Sequence, residues 1–575
     1  MRLKELYRIA FDVNARDFFM MTRLSYIKDI GFNQNCLIIL AVAVLYPNSV
    51  LAGSQYYVDL NINTEKCSQY DVVKRKCGSG VSVAYKKFSG VVTAVKPGDT
   101  VYIREGTYNE QLSPETSGTK GNEITYRNFQ NEKVIITGPY RPAIDLSNRQ
   151  YLIIEGLEVN NVDRWLYLLK ASHNIVRNNK FRNARNGGGG AKTGIFFSEA
   201  TYNRVSGNTF ENNSSDGMSL ISSDYNIVEN NTFHYARHAL WDIRCGNFNV
   251  IRNNYFHNKR QKIGEVYDCH HHAGFKRHNA TKYNLIEGND FAFVPSSGNS
   301  SPYSGMQYAG QNGIIRFNKF HDLAGPGIRF AIYGKEARYN LSNRTYHNVF
   351  YGMHFAGIDI ADGQDMKDNI FQNNIFTKSE FVANDTRWRW WVNQLDGQPV
   401  QIKTARLNGF LLDNNAIFGN EPGDYWLITN GWRKPGVGGR LTIADWESDY
   451  PELVKNTVEK NPSFVNEQER DFHLKPDSPL IDKGAFLTQT TGSGSGTVIP
   501  VKDVGYFYDG FSIPGEKGDI IQLKGQKETA MILSIDYKGK TLTLDKRLTW
   551  DENQGLTLKY NGQAPDIGMY EMTAD

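Results

Sequence analysis

The 575-residue chain reads as an all-β solenoid, a right-handed parallel β-helix, on three observations: a phrase repeated every 23 residues, doubled asparagines at one place in it, and a strand-and-turn composition. Tyr202-Asn203-Arg204-Val205-Ser206-Gly207-Asn208-Thr209-Phe210 returns as Tyr225-Asn226-Ile227-Val228-Glu229-Asn230-Asn231-Thr232-Phe233, and again from Phe248 to Asn258. Each copy holds a short alternating apolar strand, an Asn-rich corner and a second strand ending in Phe. A solenoid turn built this way carries three short strands and stacks identical residues between turns. Asn208, Asn231 and Asn254 are therefore expected at equivalent corners. Weaker copies begin near Tyr151, His173, Tyr283, Asn312, Met366 and Leu407, separated by one repeat plus insertions. With 32 Tyr, 31 Phe and abundant Asn, the composition favours strands and turns over helices.

Residues 1 to 52 read as a signal peptide, with a better start at Met21, a basic stretch at Arg23 and Lys28, the apolar run Cys36 to Leu45, and a cleavage site after Ala52. That run is too short to span a bilayer, so no membrane span is expected once the signal is removed. The reading places the mature chain in the periplasm or outside the cell, as a monomer. Export permits disulfides, and Cys67 with Cys77 is the expected pair; Cys245 and Cys269 either pair or remain as buried thiols. Lys plus Arg number 65 against 61 Asp plus Glu, a balance that excludes an extended nucleic-acid footprint. The β-helix is expected over 53–486. A small β domain is inserted at 487–563 after a Gly/Ser-rich linker, either capping the open solenoid edge or binding sugar, and a closing segment covers 564–575.

Two stretches carry a resemblance. Val95-Lys96-Pro97-Gly98-Asp99-Thr100-Val101-Tyr102-Ile103-Arg104-Glu105-Gly106-Thr107-Tyr108 resembles the opening of secreted β-helix polysaccharide lyases, of the chondroitinase-B, alginate-lyase and pectate-lyase-like kind. Ser478-Pro479-Leu480-Ile481-Asp482-Lys483-Gly484 and Ala564-Pro565-Asp566-Ile567-Gly568-Met569-Tyr570-Glu571 are similar to their closing segment. The resemblance implies the β-helix fold and an acidic polysaccharide as partner.

The strand after each Phe-ending strand is expected to line the glycan groove. Alternation then puts Phe196, Ser219, Asp242, Lys276, Gln307, Arg329 and Asp359 in one outward column, with Arg244 and His278 in the next. The insertion Lys259 to Lys282 enters here with Glu265, Asp268, His270, His271 and His272, and long loops on a rigid array usually bear function. Arg387-Trp388-Arg389-Trp390-Trp391 offers indole faces for sugar rings and guanidinium groups for acidic substituents, or simply packs against a loop.

The chemistry expected is β-elimination on a uronic-acid-containing glycan, which removes the proton at sugar carbon 5 and needs a base in a positive environment. Lys276 is the expected base, with Arg244 and Arg277 lowering its pKa and Asp242 opposing them. Arg244 and Arg329 hold the uronate, His278 or a loop histidine protonates the leaving oxygen, and Gln307, Arg277, His271, His272, Trp388 and Trp390 contact substrate. The resemblance implies this Lys and Arg pair on neighbouring turns. It also implies Ca2+ as a cofactor of some relatives, for which Asp359, Asp362 and Asp365 are the candidates here; no transition-metal site is expected. The rival readings are a glycoside hydrolase using Asp216 with Asp242, a uronan C5-epimerase, whose Asp-Pro-His-Asp motif is absent, and a noncatalytic glycan-binding or surface β-helix.

Overall fold

The computed structural model describes residues 53–572, apart from 186–192, 259–261, 268–280, 295–303, 331–339, 354, 362, 379–397, 405, 420–425 and 430–440. The chain winds into a right-handed parallel β-helix of three long sheets. The first sheet runs from Gln55–Val58 through Ile227–Glu229 to Val454–Lys455, the second from Gly106–Tyr108 to Ala416–Phe418, and the third from Ile144–Asp145 to Leu441–Thr442. Strands at equal phase pair in parallel, as Val205↔Val228↔Ile251 in the first sheet and Phe210↔Phe233↔Phe256 in the second.

The doubled asparagines have two jobs. The first of each pair turns the corner between the first two sheets in the left-handed region, with Asn178 at φ 57, Asn230 at 54 and Asn253 at 54; Gly207 and Gly288 replace it at two corners, at 65 and 63. Gly and Asn tolerate that conformation at least cost. The second asparagine points inward and stacks. Asn208 Nδ2 donates to Asn231 Oδ1 at 3.0 Å, and Asn231 Nδ2 donates to Asn254 Oδ1 at 3.0 Å, so the expected corner stack is present. The ladder continues through Asn289, Asn318, Asn348 and Asn374 to Asn415. Phenylalanines stack beside it in the core, with Phe210, Phe233 and Phe256 centroids 4.5 and 5.0 Å apart.

A disulfide joins Cys67 and Cys77 near the start of the solenoid, as expected. Cys245 is also disulfide-bonded, and Cys269 lies outside the described residues. Among the described residues no helix is long and apolar enough to cross a membrane.

Strands between Thr488 and Leu558 form a six-stranded antiparallel sheet. It lies along the flank of the solenoid rather than over its open end. Leu487, Ile499, Val501, Phe507 and Phe511 share one buried cluster with Ile227, Val250, Leu285, Ile314 and Tyr346, which are outward residues of the first sheet. Burying those side chains removes the apolar stripe that a period-2 strand would otherwise expose. Acidic residues of the insertion then meet a row of arginines: Glu516 takes Arg204 and Arg252, Asp519 takes Arg316, and Asp503 takes Arg344. The closing segment returns to the helix through Ile567, packed near Val349 and Ile375, and through Gly568 O, which accepts from His347 Nδ1 at 2.8 Å.

Candidate active site

The site lies on the outer face of the third sheet, on strands β1 (Thr193–Ser198), β2 (Asp216–Ile221), β3 (Ala239–Arg244), β4 (Lys262–Tyr267), β5 (Met306–Tyr308), β6 (Ile328–Phe330), β7 (Ala356–Ile360) and β8 (Gln398–Ile402). Their inward residues, among them Met218, Trp241, Val266, Met306, Ile328, Ile358 and Val400, belong to the core. Their outward residues pair turn by turn as Phe196↔Ser219↔Asp242↔Glu265↔Gln307↔Arg329↔Asp359↔Gln401. Asp242, Gln307 and Arg329 thus stand in the expected column.

The register departs from expectation at one turn. The strand between Asp242 and Gln307 is Lys262–Tyr267, not Phe275-Lys276-Arg277, so Glu265 occupies the position expected for Lys276. The physical reason is packing beneath β4. Gly264 sits against the Trp241 indole, where a Cβ would come within 2.4 Å of a ring carbon, so only glycine fits at this inward position. The sequence signal was Gly264-Glu265-Val266, in which the glycine takes the inward position itself, one residue later than the glycines that open the strands at Gly217 and Gly305. Lys276, Arg277, His278, Asp268, His270, His271, His272, Trp388 and Trp390 lie outside the described residues.

Five ionisable groups gather around Asp242. Arg244 Nη2 donates to Asp242 Oδ2 at 2.9 Å and lies 3.9 Å from Asp216 Oδ2. Ser219 Oγ donates to the same Asp242 oxygen at 2.8 Å. His238 Nδ1 pairs with Asp216 Oδ1 at 2.7 Å and presents Nε2 4.0 Å from Glu265 Oε1. Lys262 Nζ pairs with that Glu265 oxygen. Asp242 and Glu265 are both fully buried, and each ends with one oxygen held and one, Asp242 Oδ1 and Glu265 Oε2, without a hydrogen-bond partner among the described residues. His238 and Lys262 were not singled out from the sequence, since both precede the outward column and show no pattern until the turns are stacked.

Burial pushes the Asp242 carboxyl up to about 7; Arg244 resists this, while the charges of Asp216 and Glu265 reinforce it. His238 is raised, chiefly by its hydrogen bond to Asp216, against the cost of burial. Burial also opposes the Arg244 charge, but Asp242, Asp216 and Glu265 outweigh it and raise the pKa. The cluster therefore holds a carboxyl whose pKa burial raises, beside a second carboxyl paired with Lys262.

Farther along the column, Asp359 lies 3.0 Å from Lys403 Nζ and 3.5 Å from Arg329 Nε, and Asp365 lies 3.5 Å from Arg406 Nη1. Both carboxylates face protein cations, Asp362 lies outside the described residues, and no three His, Cys, Asp or Glu side chains are placed to hold a metal ion among the described residues. This arrangement does not fit the calcium site considered for Asp359, Asp362 and Asp365, because a cation there would compete with Lys403, Arg329 and Arg406.

The chain is similar to the uncharacterized protein YwoF of Bacillus subtilis (strain 168), 28% identical over 440 residues that cover 66% of this chain and 85% of that protein. Among solved structures it is similar to a pectate lyase, with 15% identity, a TM-score of 0.39 and coverage of 78% of this chain and 95% of that one. It is similar to a mannuronic-acid-specific family 6 polysaccharide lyase from human gut microbiota, with 16% identity, a TM-score of 0.40 and coverage of 65% and 89%. It is also similar to a lacto-N-biosidase from Eubacterium ramulus, with 12% identity, a TM-score of 0.40 and coverage of 67% and 72%. Similarity at this level says nothing about substrate. Residues 118–291 match the family described as right handed beta helix region, the architecture that the three stacked sheets display.

Proposed function

We propose that the protein cleaves a glycosidic bond of a polysaccharide by hydrolysis, with Asp242 as general acid and Glu265 as its carboxylate partner. The observation that carries this is the pair itself: register neighbours on adjacent strands of one outward column, each with one carboxyl oxygen held and the other unpartnered among the described residues. Adjacent strands lie about 4.8 Å apart, which brings the two carboxyls into the range that glycosidic cleavage uses. With its pKa near 7, Asp242 keeps a proton to deliver to the leaving oxygen. Glu265, next to Lys262, supplies the negative charge that stabilises a developing oxocarbenium ion or activates water. Arg244 and Ser219 position Asp242 by its other oxygen. The resemblance of the opening and closing segments to polysaccharide lyases supports a glycan substrate, and the Cys67–Cys77 disulfide supports an exported location.

Elimination is the second reading. Arg244 and Arg329 on the outer face are the guanidinium groups such a reaction would use to hold a uronate, but its expected base, Lys276, lies outside the described residues. A panel of polysaccharides assayed for new reducing ends and, separately, for the ultraviolet absorbance of unsaturated uronyl products tells the two apart. Hydrolysis yields reducing ends alone. Asp242→Asn and Glu265→Gln are each expected to lower the rate about 100- to 10,000-fold with folding intact. Full activity in both variants, or unsaturated product from the wild type, would reject the hydrolytic pair.

A further inference from the structure

A cleft of about 300 Å3 opens at the corner where the second sheet passes into the third, walled by Asn183, Arg185, Asn212, Ser214, Tyr235 and Arg237 among others. The register Ala184↔Asn213↔Ala236 places Arg185, Ser214 and Arg237 one above another on three successive turns. The cleft adjoins the acid–base cluster, since Asp216 follows Ser214 by two residues and His238 follows Arg237 directly.

The groups in the cleft differ in how far the protein already satisfies them. Asn183 Nδ2 donates to Asn160 Oδ1 at 2.9 Å and Asn212 Nδ2 donates to Asn183 Oδ1 at 2.7 Å. One turn on, this surface ladder meets Tyr235 instead of asparagine, and the Asn212 carbonyl oxygen has no donor among the described residues. Arg185 donates to Asn161 O at 2.9 Å and lies 3.3 Å from Asp163. Arg237 is exposed, and its guanidinium meets no carboxylate among the described residues. A cleft with a guanidinium on its first and third turns, an unused carbonyl on the turn between them and a tyrosine beside Arg237 matches a sugar bearing a negative charge: the fork pairs with a planar or tetrahedral oxyanion, and the carbonyl accepts from a ring hydroxyl.

We infer that this corner cleft is a subsite for an acidic sugar, bearing a carboxylate or sulfate group, next to the bond that the Asp242–Glu265 pair cleaves, and that Arg237 determines the selectivity. The inference rests on the hydrolytic reading for its place in the substrate, and on the cleft alone for its charge preference.

The test is calorimetric titration of the Glu265→Gln protein with three probes of equal length: a uronate oligosaccharide, a sulfated neutral-sugar oligosaccharide and an uncharged one. The expected result is that one acidic probe binds more tightly than the uncharged probe and that adding Arg237→Ala weakens it about tenfold without changing the uncharged probe. Arg237→Lys should recover part of the loss, and added salt should shrink the difference. Which acidic probe responds identifies the oxyanion. An equal loss for the uncharged probe, no loss for either acidic probe, or binding of none of the three would overturn the inference. Because the readout is binding, Arg237-dependent selectivity in a protein that performs no hydrolysis rejects only the catalytic reading. Hydrolysis indifferent to Arg237 rejects only the subsite.

Discussion

At the residue scale, Asp242 makes stability depend on pH in a direction opposite to most carboxylates. An unfolded aspartate loses its proton near pH ~4, whereas burial holds the folded one up to about 7. Between those values the native state binds more protons, so the group's contribution is fully present below about pH 4 and is lost as pH rises through 7. Asp242→Asn removes the titration. Unfolding free energies from urea titration should coincide with wild type near pH 4 and exceed it above pH 7 by up to about 4 kcal/mol. A gap that does not vary with pH would mean that Asp242 is ionised throughout. The same neighbourhood shows what residue-by-residue reading could resolve. Asp242, Gln307 and Arg329 were legible because each follows an apolar or glycine-led strand opening. Glu265 was not, because two apolar-charged alternations, Gly264-Glu265-Val266 and Phe275-Lys276-Arg277, compete for one turn. The contest is settled by the Trp241 indole above Gly264, a contact between turns that no local pattern reports.

At the scale of the element, the inner asparagine ladder carries the corner. Asn231 is 1% exposed; its Nδ2 donates to Val205 O and Asn254 Oδ1, and its Oδ1 accepts from the backbone and side chain of Asn208. Asn231→Ala leaves several of these groups buried and unsatisfied, for an expected loss of about 3 kcal/mol. Denaturant unfolding should show a lower midpoint with an unchanged slope. Asn212→Ala, at an exposed corner of the outer ladder, should cost under about 1 kcal/mol. Equal losses at both sites would mean that ladder geometry rather than burial sets the energy. The inner ladder was legible at Asn208, Asn231 and Asn254, since a 23-residue period with Asn at constant phase has few other structural meanings, whereas the outer ladder of Asn160, Asn183 and Asn212 emerged only when the turns were stacked.

At the scale of the whole molecule, the inserted sheet is held to the solenoid flank by a shared apolar cluster and by buried charge. Arg316 is 3% exposed, and its two terminal nitrogens each donate to Asp519 at 2.7 Å while Nε donates to Glu287 at 2.8 Å. Removing Asp519 takes away two charge-assisted hydrogen bonds and leaves Glu287 alone to balance the buried guanidinium, so Asp519→Ala should weaken docking by about 2 kcal/mol. Hydrogen exchange should quicken in Ile520–Leu523 and in the facing strand Ile314–Arg316 while the asparagine corners remain protected. Unchanged exchange at that face would show that the apolar cluster alone holds the sheet. The repeat period and strand alternation by themselves determined the β-helix, its stacked corners and six of the seven expected positions of the outward column, and the short loop between Cys67 and Cys77 determined the staple, because each follows from spacing within one turn or a short loop. Only the tertiary structure decided which strand fills the turn after Asp242, where the inserted sheet rests, and that Asp216, His238, Asp242, Arg244, Lys262 and Glu265 form one charge cluster. Those outcomes depend on the register between turns and on packing between segments up to 312 residues apart, as in the Arg204–Glu516 pair, and neither leaves a periodic trace in the chain.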